Sequence, residues 1–236
     1  MMIIPNIEII DLAIYLKKEK TLIIADTHIG YEESLNKQGI MIPRAAFKDL
    51  IIRLEKILSK IKPETIVING DIKHEFGKIS QTEWRNTIKL ILFLQKHCKN
   101  LILIKGNHDK ILGPIADKKN ITITDQIILN STIVTHGHKL IKPDKKIKTI
   151  IIGHEHPAIS LGDLARKEKY KCFLKGKWKN KTLIVQPSLK LSSEGTDITK
   201  ERILSPFLKQ DLKNFEAFIV SDKVYYFGKL KNISSE

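Results

Sequence analysis

Short runs of aliphatic residues recur through the first two thirds of the chain, and each run ends in a cluster of polar residues. The runs begin at Leu22, Ile66, Leu101, Ile133 and Ile150 and are rich in β-branched side chains. Continuous apolar runs of this length are typical of strands that are buried on both faces of a sheet. The pattern therefore predicts five buried strands, each followed by a polar loop.

Two stretches of sequence, which lie between the first three of these runs, have a helical period. After Pro43, apolar residues from Phe47 to Ile61 return every three or four positions, which predicts an amphipathic helix. Ser80, with Glu83 three residues later, forms a capping-box signature at the start of a second helix. Strands that alternate with helices predict an α/β fold, in which sites form at the carboxyl ends of the strands. We therefore expect the five polar clusters to meet.

The C-terminal third and the first residues have a different pattern. Residues 169–173 and 182–185 are predicted to be strands of a meander, and residues 217–220 and 224–227 are predicted to form a hairpin. Residues 7–16 are predicted to form one further strand. A second, more antiparallel sheet that packs on the first is therefore expected.

Composition narrows the class of protein. Hydrophobic residues make up 42% of the 236 residues, which is enough for a core, and no repeat or flexible linker divides residues 1–236, so we interpret them as a single domain. No apolar run approaches the roughly 18 residues that cross a bilayer, and the first residues lack the basic region of a signal peptide. The two cysteines, Cys98 and Cys172, are too few for a disulfide framework. These features predict a cytoplasmic, globular protein without a membrane partner.

The chain is strongly basic, because 41 Lys and Arg minus 26 Asp and Glu gives a net charge of +15. Such an excess attracts polyanions such as nucleic acid. It is also what a general bias toward Ile and Lys would produce, since the lysines are spread along the chain. Two basic stretches, 142–148 and 166–181, are candidates for contact with a phosphate backbone. Aromatic residues are only 6%, which disfavours a single-strand binder built on stacked bases.

The histidines are concentrated in the polar clusters. The chain has 8, and all but one lie in a strand-end cluster or just after it; the exception, His97, is placed near the end of a predicted helix. Packing does not explain this concentration, because imidazole is only an intermediate core residue. Asp26 and His28 are two residues apart, as are His154 and His156, so in an extended chain each pair would point to one side.

The clusters also supply carboxylate and amide oxygens and no thiolate. Asp71 follows Gly70, whose missing side chain permits a sharp turn and a close approach of the backbone, and Asn107 adds an amide oxygen. Oxygen and nitrogen ligands without sulfur suit Mn, Fe, Zn, Ni or Mg. Seven such ligands exceed one tetrahedral shell but are enough for two metal ions that share a carboxylate.

Five motifs in order resemble the calcineurin-like metallophosphoesterase superfamily, and each follows a predicted strand: Asp26-Thr27-His28, Gly70-Asp71-Ile72-Lys73-His74, Gly106-Asn107-His108-Asp109, His136 and Gly153-His154-Glu155-His156. More narrowly, residues 25–32 and 73–77 resemble the archaeal, SbcD-related (ICC-like) branch, and Ser205-Pro206 fits that branch as well. The resemblance implies a four-layer α/β/β/α sandwich of two mixed β-sheets, in agreement with the two sheets expected above.

The resemblance also implies roles for the motif residues. Asp71 would bridge two metal ions, each of which has three further ligands: Asp26, His28 and His156 for one ion, and Asn107, His136 and His154 for the other. His108 would not be a ligand but would face the substrate and stabilise the transition state or protonate the leaving oxygen. Asp109 would orient His108 by accepting a hydrogen bond from its ring. Manganese is the metal we favour, with Fe, Zn, Ni and Mg as alternatives.

Several assignments have an alternative. His138 could replace His136 as a ligand, although His136 is nearer the strand end. His74 is a catalytic candidate that could contact substrate or only support the ligands. Lys73 could touch a phosphate or be solvated, and Glu155, the middle residue of its motif, is assigned no role.

The reaction implied by the resemblance is hydrolysis of a phosphate ester, with two cations that clamp the phosphoryl oxygens and activate water for in-line attack. The SbcD-like motifs and the charge of +15 favour phosphodiester substrates in DNA or nucleotides. A small-molecule phosphodiesterase or a phosphomonoesterase is the alternative. A catalytically silent scaffold of the same fold is disfavoured because no ligand is missing.

Overall fold

Two mixed β-sheets packed face to face form the centre of the molecule. The computed structural model describes most of the chain: residues 1–42, 45–75, 80–109, 121–162 and 167–233. Four positions that entered the sequence analysis lie outside the described residues: Pro43, Phe76, Gly77 and Arg166.

The first sheet has seven strands, which stand side by side in chain order: β1 Met2–Ile4, β2 Ile7–Ile10, β3 Ala13–Leu16, β4 Thr21–Ala25, β5 Thr65–Asn69, β6 Asn100–Ile104 and β7 Thr122–Thr124. Strands β1 to β4 pair antiparallel, whereas β4 to β7 pair parallel. The parallel half brings the carboxyl ends of β4, β5 and β6 to one edge, as the sequence predicts.

The second sheet has nine strands: β8 Gln126–Leu129, β9 Thr132–Thr135, β10 Thr149–Ile152, β11 Pro157–Gly162, β12 Lys167–Trp178, β13 Lys181–Val185, β14 Thr196–Asp197, β15 Glu216–Val220 and β16 Val224–Lys229. Their order is β14-β11-β12-β13-β10-β9-β8, and the β15–β16 hairpin joins at β12. Strand β10 is parallel to both of its neighbours, β9 and β13, and the other pairings in the main path are antiparallel except β11 with β14.

Helical segments pack against both sheets. The capping box predicted at Ser80 is present, since its hydroxyl accepts from the backbone N–H of Glu83 at 3.1 Å and the Glu83 carboxylate accepts from the N–H of Ser80 at 3.4 Å. The helical segments are α1 Tyr31–Lys37, α2 Ala46–Leu58, α3 Gln81–Gln95, a 3-10 turn at Pro206–Leu208 and a short helix at Leu230–Ile233. In the described part of the chain, no helix is both long and apolar enough to pass through a bilayer.

The strands of the second sheet separate two hydrophobic layers. Along β10, Ile151 packs into the layer shared with the first sheet, α2 and α3, while Ile150 and Ile152 pack into the outer layer. Strand β13 alternates in the same way, with Ile184 in the inner layer and its neighbours in the outer one. This period of two follows from the pleat of a strand. The result is the expected four-layer α/β/β/α sandwich of two mixed sheets.

The five buried strands and the two helices are confirmed, but the prediction for residues 7–16 is wrong. These residues form two strands, β2 and β3, which pair with each other. The chain reverses at Asp11, whose φ of 57° is left-handed, a conformation that Asp adopts more readily than most residues. The strand predicted at residues 169–173 is present as part of the longer β12.

Candidate metal centre

The loops that follow β4, β9 and β10 meet at one edge of the paired sheets. Asp26, just after β4, is fully buried, and one of its carboxylate oxygens is 2.9 Å from Nε2 of His136, which follows β9. The backbone N–H of His154, after β10, donates to the other oxygen of Asp26 at 2.9 Å. Both sheets therefore contribute to one site, which confirms the predicted convergence of these polar clusters.

Asp71, which follows β5, lies in the middle of the histidines. Its Oδ2 is 3.5 Å from Nε2 of His136, 3.8 Å from Nε2 of His28 and 3.8 Å from Nε2 of His108. Its Oδ1 accepts the backbone N–H of His108 at 2.9 Å. One carboxylate is thus within reach of imidazoles from three separate loops.

Three groups of side chains bring their metal-ligating atoms within 4.8 Å of one another: Asp26, His28 and His156; Asp71, His136 and His154; and His28, His74 and His108. The first group has the members of one ligand set that the resemblance implies. The second joins His136 and His154 of the other set with Asp71, for which the resemblance implies a bridging role. His28 and His156 also lie 3.3 Å apart through their Nε2 atoms.

Asn107 offers a further candidate donor. Its Oδ1 is buried and has no hydrogen-bond partner among the described residues. An unpaired buried polar atom is costly in a folded protein, so this oxygen is suited to a ligand that the protein does not itself provide. Carboxylate, amide and imidazole donors in this combination fit divalent metal ions.

Most of these side chains stand on left-handed backbone. In an extended chain, each Asp-x-His or His-x-His pair would point to one side. Asp26, His28 and His156 do converge, but their backbone is not extended. Positive φ angles of 38° to 64° occur at five positions of the site: Asp26, His28, Asp71, His154 and His156. Such angles are uncommon for residues other than glycine and concentrate at functional sites, where surrounding structure maintains the strain.

Two glycines allow the loops to approach this closely. A Cβ at Gly70, whose φ is +82°, would lie 2.2 Å from Cδ2 of His136. A Cβ at Gly106 would lie 2.0 Å from Oδ1 of Asp71. The close approach that the sequence predicted for Gly70 is therefore confirmed.

The pKa values of the two carboxyl groups are shifted in opposite directions. Burial by itself would raise the pKa of Asp26, but the charges of His156 and His136 outweigh it and hold that pKa well below its usual range. Burial, to which the negative charge of Asp26 adds, raises the pKa of Asp71 to about 7. Two acids in one buried site are not readily ionised together, and divalent cations would supply the compensating charge.

The imidazoles are mostly kept neutral. Burial, followed by the positive charge of His136, lowers the pKa of His154 to about 3 and that of His138 to about 4. Burial also lowers the pKa of His74 to about 4. The neutral ring is the form that binds a metal, so these groups need not lose a proton first at pH 7.

The geometry favours His136 over His138 as a ligand. His136 is fully buried and directs Nε2 toward Asp26 and Asp71. His138 lies behind it, with the two Nδ1 atoms 3.1 Å apart. His138 is therefore placed to support His136.

Asp109 and the ring of His108 are predicted to hydrogen-bond to each other, but in the structure each contacts backbone groups instead. The ring Nδ1 of His108 contacts the backbone carbonyl of His74. The Asp109 carboxylate accepts the backbone N–H groups of Ile72, at 3.2 Å, and Gly106, at 2.9 Å. Asp109 thus connects the loops after β5 and β6, and it positions His108 through the backbone.

The structure brings His74 to the site and buries Lys73. The ring of His74 stacks on that of His108 at 5.5 Å, and Tyr31 contacts its other side at 4.9 Å. Lys73 is fully buried, with its ammonium against the carbonyl of Glu75. The solvated alternative for Lys73 is therefore wrong.

Glu155 and Ser205 support the site in a way that motif matching did not identify. The buried carboxylate of Glu155 accepts backbone N–H groups from Leu204, at 3.0 Å, and Ser205, at 2.6 Å. The Ser205 hydroxyl donates to the carbonyl of Gly137 at 2.9 Å. These bonds fasten the loops after β9 and β10 to the segment before the 3-10 turn. The Ser-Pro pair was the available sequence signal.

His97 and the cysteines lie apart from this centre. His97 is exposed beyond the end of α3, and its Nδ1 is 2.9 Å from the carbonyl of Phe93. Cys98 is half-buried, Cys172 is buried, and both are free thiols. The position of His97 agrees with the placement near a helix end that the sequence indicated.

Comparison with known proteins agrees with this architecture. The family model for calcineurin-like phosphoesterases matches residues 19–177. The nuclease MPE of Pseudomonas putida has a similar fold, with a TM-score of 0.66 and 20% identity over 92% of each chain. YfcE, a phosphoesterase from E. coli, aligns with a TM-score of 0.43 and 14% identity over 86% of this chain and 88% of that one. No curated protein matches the sequence.

Proposed function

The chain belongs to the calcineurin-like phosphoesterase family, and we propose that it uses two divalent metal ions to hydrolyse phosphodiester bonds in nucleic acid or nucleotides. Membership of the family makes it a hydrolase that acts on phosphate esters. The observation that carries the proposal is the position of Asp71 among donors from both sheets, within 3.8 Å of three imidazoles.

Two ions, rather than one, are proposed because the donors divide into two groups. The first contains Asp26, and the second contains Asp71 with His136 and His154. The buried Oδ1 of Asn107 is an additional donor. We favour manganese, with Fe, Zn, Ni or Mg as alternatives, since oxygen and nitrogen ligands suit all of them. Bound ions of this kind polarise a phosphoryl group and lower the pKa of water.

His108 is proposed to serve the leaving group. A carbonyl can only accept a hydrogen bond, so the contact with the carbonyl of His74 places a proton on Nδ1 of His108. Nε2 is then directed to the site, 3.8 Å from Oδ2 of Asp71. In the proposed reaction Nε2 receives a proton beside the anionic substrate and transfers it to the leaving oxygen. Asp109 and His74 are positioning residues for this ring.

The charge of the molecule supports a diester substrate of nucleic-acid type. The net charge of +15 attracts polyanions to the surface. Two divalent ions beside only two carboxylates would leave the centre positive, which suits an anionic phosphate ester.

We also propose that residues 1–236 act as one domain. The larger hydrophobic cluster contains residues of both sheets, such as Ile23 of β4, Ile151 of β10 and Phe173 of β12. A continuous core across the two sheets is expected of a single folding unit.

The function can be tested with purified protein and added Mn²⁺. The substrates are bis-p-nitrophenyl phosphate, p-nitrophenyl phosphate, cyclic nucleotides, and single- and double-stranded DNA. We expect the diester to be hydrolysed faster than the monoester and DNA to be cleaved. His154→Asn should abolish turnover, whereas His97→Asn, at an exposed histidine outside the site, should not.

Three results would contradict the proposal in different ways. Preference for the monoester would make the protein a phosphomonoesterase, and cleavage of cyclic nucleotides without DNA would restrict it to small diesters. Absence of both bound metal and esterase activity would indicate a catalytically silent scaffold.

A further inference from the structure

A cavity of about 290 Å³ adjoins the metal centre. Thr27 and His28 line it, together with residues of α1, α2, α3 and residues 189–192. Phe47 and Leu50 of α2 supply apolar surface. Because His28 is shared, a substrate whose phosphodiester lies at the metal centre would extend directly into this cavity.

Three cations line the cavity, each from a different element. Lys48 is on α2, Arg85 is on α3 and Lys190 follows β13. None of the three forms an ion pair with a carboxylate in the described part of the chain. Cations that are not paired with a carboxylate are available to an anionic ligand.

The two acidic residues in the cavity wall are already engaged. Glu33 accepts a hydrogen bond from the hydroxyl of Ser80 at 2.6 Å. Burial raises the pKa of Glu32, and Ser192 hydrogen-bonds to its side chain. Even with both acids ionised, the three cations outnumber them, so the cavity lining is net positive.

Lys190 is held at the border between the cavity and the metal centre. Its ammonium lies 3.9 Å above the ring of Tyr31, which in turn contacts His74. The carbonyl of Lys190 accepts a hydrogen bond from the ammonium of Lys171 at 2.7 Å. Both ends of the residue are thus fixed, which is the preorganisation expected of a binding group.

We propose that this cavity binds a second phosphate group of the substrate, with Lys48, Arg85 and Lys190 as its cationic partners. The proposal rests on the proposed phosphodiesterase function. The volume is near the lower limit of ligand pockets, roughly 300 Å³, so the cavity fits one nucleotide unit and not a duplex. The second phosphate could be a terminal phosphate of a short substrate or the next linkage of a longer strand.

The test compares substrates that differ only in phosphate number. With Mn²⁺, hydrolysis of the dinucleotide TpT is compared with that of pTpT and TpTp, which carry a terminal phosphate, and of TpTpT, which carries a second linkage. We expect wild-type kcat/KM to be about tenfold higher for at least one of the three, since one ion-paired phosphate is worth about that factor. The preferred substrate identifies the source and position of the phosphate.

Variants then locate the effect. In Arg85→Ala and Lys190→Ala the ratio of kcat/KM for the preferred substrate to that for TpT should fall toward one, mainly through a rise in KM. Lys89→Ala is the matched control, because Lys89 is exposed on the same helix as Arg85 and does not line the cavity. This control should keep the wild-type ratio.

The outcomes separate this inference from the function on which it rests. If wild type hydrolyses TpT but shows no preference, or if the variants keep the preference, the second-phosphate site is wrong and the phosphodiesterase function stands. If no substrate is hydrolysed, the function is wrong. Calorimetric titration in EDTA with TpT, pTpT, TpTp and TpTpT then tests whether the cavity binds a second phosphate. Tighter binding of a two-phosphate ligand that is lost in Arg85→Ala supports the site, and equal binding overturns it.

Discussion

Individual residues of the metal centre depend on backbone angles that most side chains avoid. Asp26, His28 and Asp71 stand on positive φ angles of 52°, 42° and 38°. Each such residue stores about 1–3 kcal/mol of strain, which the surrounding packing must offset. The residue types at these positions were readable in the sequence, but their conformation was not, because a motif records side chains and not φ.

Replacement of Gly70 by alanine tests how tightly the loops are packed. Gly70→Ala and Gly39→Ala both place a side chain at a positive φ, +82° and +85°, so both lose about 1 kcal/mol of stability. Only at Gly70 would the new methyl group lie 2.2 Å from His136; at Gly39 no described atom is within 4 Å. We therefore expect Gly70→Ala to lower the melting temperature more and to weaken Mn²⁺ binding, both measured by thermal denaturation with and without metal.

Equal losses in the two alanine variants would show that strain in the backbone, and not the contact with His136, explains the glycine at position 70.

His108→Asn separates a catalytic role from a ligand role. The ligand atoms of His108, His28 and His74 lie within 4.8 Å of one another, so the three rings could share an ion. The family resemblance nevertheless implies that His108 binds no metal. We expect kcat to fall by about 10² or more, as for loss of a general acid, while the metal content measured by atomic emission stays at the wild-type value. A loss of metal equal to that of His154→Asn would instead make His108 a ligand.

Among the secondary-structure elements, those with apolar faces were the predictable ones. Strands β4 and β10 are buried along their whole length, and α2 has a regular apolar stripe. Helix α1 was missed because its seven residues bury only Ser34, so it has no apolar stripe to detect. The edge strands β7 and β8 were missed for a similar reason, since they are short and partly exposed.

Strand β12 also fixes the loop that carries Lys190. The ammonium of Lys171, on β12, donates to the carbonyl and hydroxyl of Ser188 and to the carbonyl of Lys190, at 2.7 to 3.0 Å. Burial lowers the pKa of Lys171 from its ordinary 10.5 to about 7. The interaction thus connects a titratable group in the second sheet with the cavity beside the metal centre.

Lys171→Met should change the pH dependence of stability. Between pH 7 and 10.5 the unfolded chain binds more protons at position 171 than the folded chain does, so this residue makes the free energy of unfolding rise with pH, by on the order of 1 kcal/mol per pH unit. The difference in melting temperature, wild type minus variant, should therefore increase from pH 7 to pH 10. Lys167→Met, at an exposed lysine of the same strand, should not change the slope.

A constant difference across this pH range would mean that Lys171 stays charged in the folded protein and that its three hydrogen bonds outweigh its burial.

For the whole molecule, the decisive feature is that the metal centre joins two sheets. Asp26 and Asp71 follow strands of the first sheet, whereas His136 and His154 follow strands of the second. An ion held between them would contact both sheets and would not be bound by the unfolded chain, so its binding energy would add to the stability of the fold.

Metal should therefore stabilise the protein against heat. At an Mn²⁺ concentration 100 times the dissociation constant, the gain is about 2.7 kcal/mol per site, visible as a rise in melting temperature that EDTA reverses. His154→Asn should lose most of this rise, and His97→Asn should keep it. A rise of the same size in both variants would place the stabilising metal outside the proposed centre.

The amino-acid sequence by itself determined the buried strands, the two longer helices and the chemistry of the strand-end loops. These features follow from local patterns, since burial on two faces, helical period and turn residues are all encoded within a few positions. Tertiary structure alone decided the rest. It placed His136 inward and His138 behind it, gave Asp109 backbone partners, and brought Lys190 to a cavity shared with two distant helices. Such contacts join residues far apart in the chain, so they depend on how the two sheets pack and leave no local pattern.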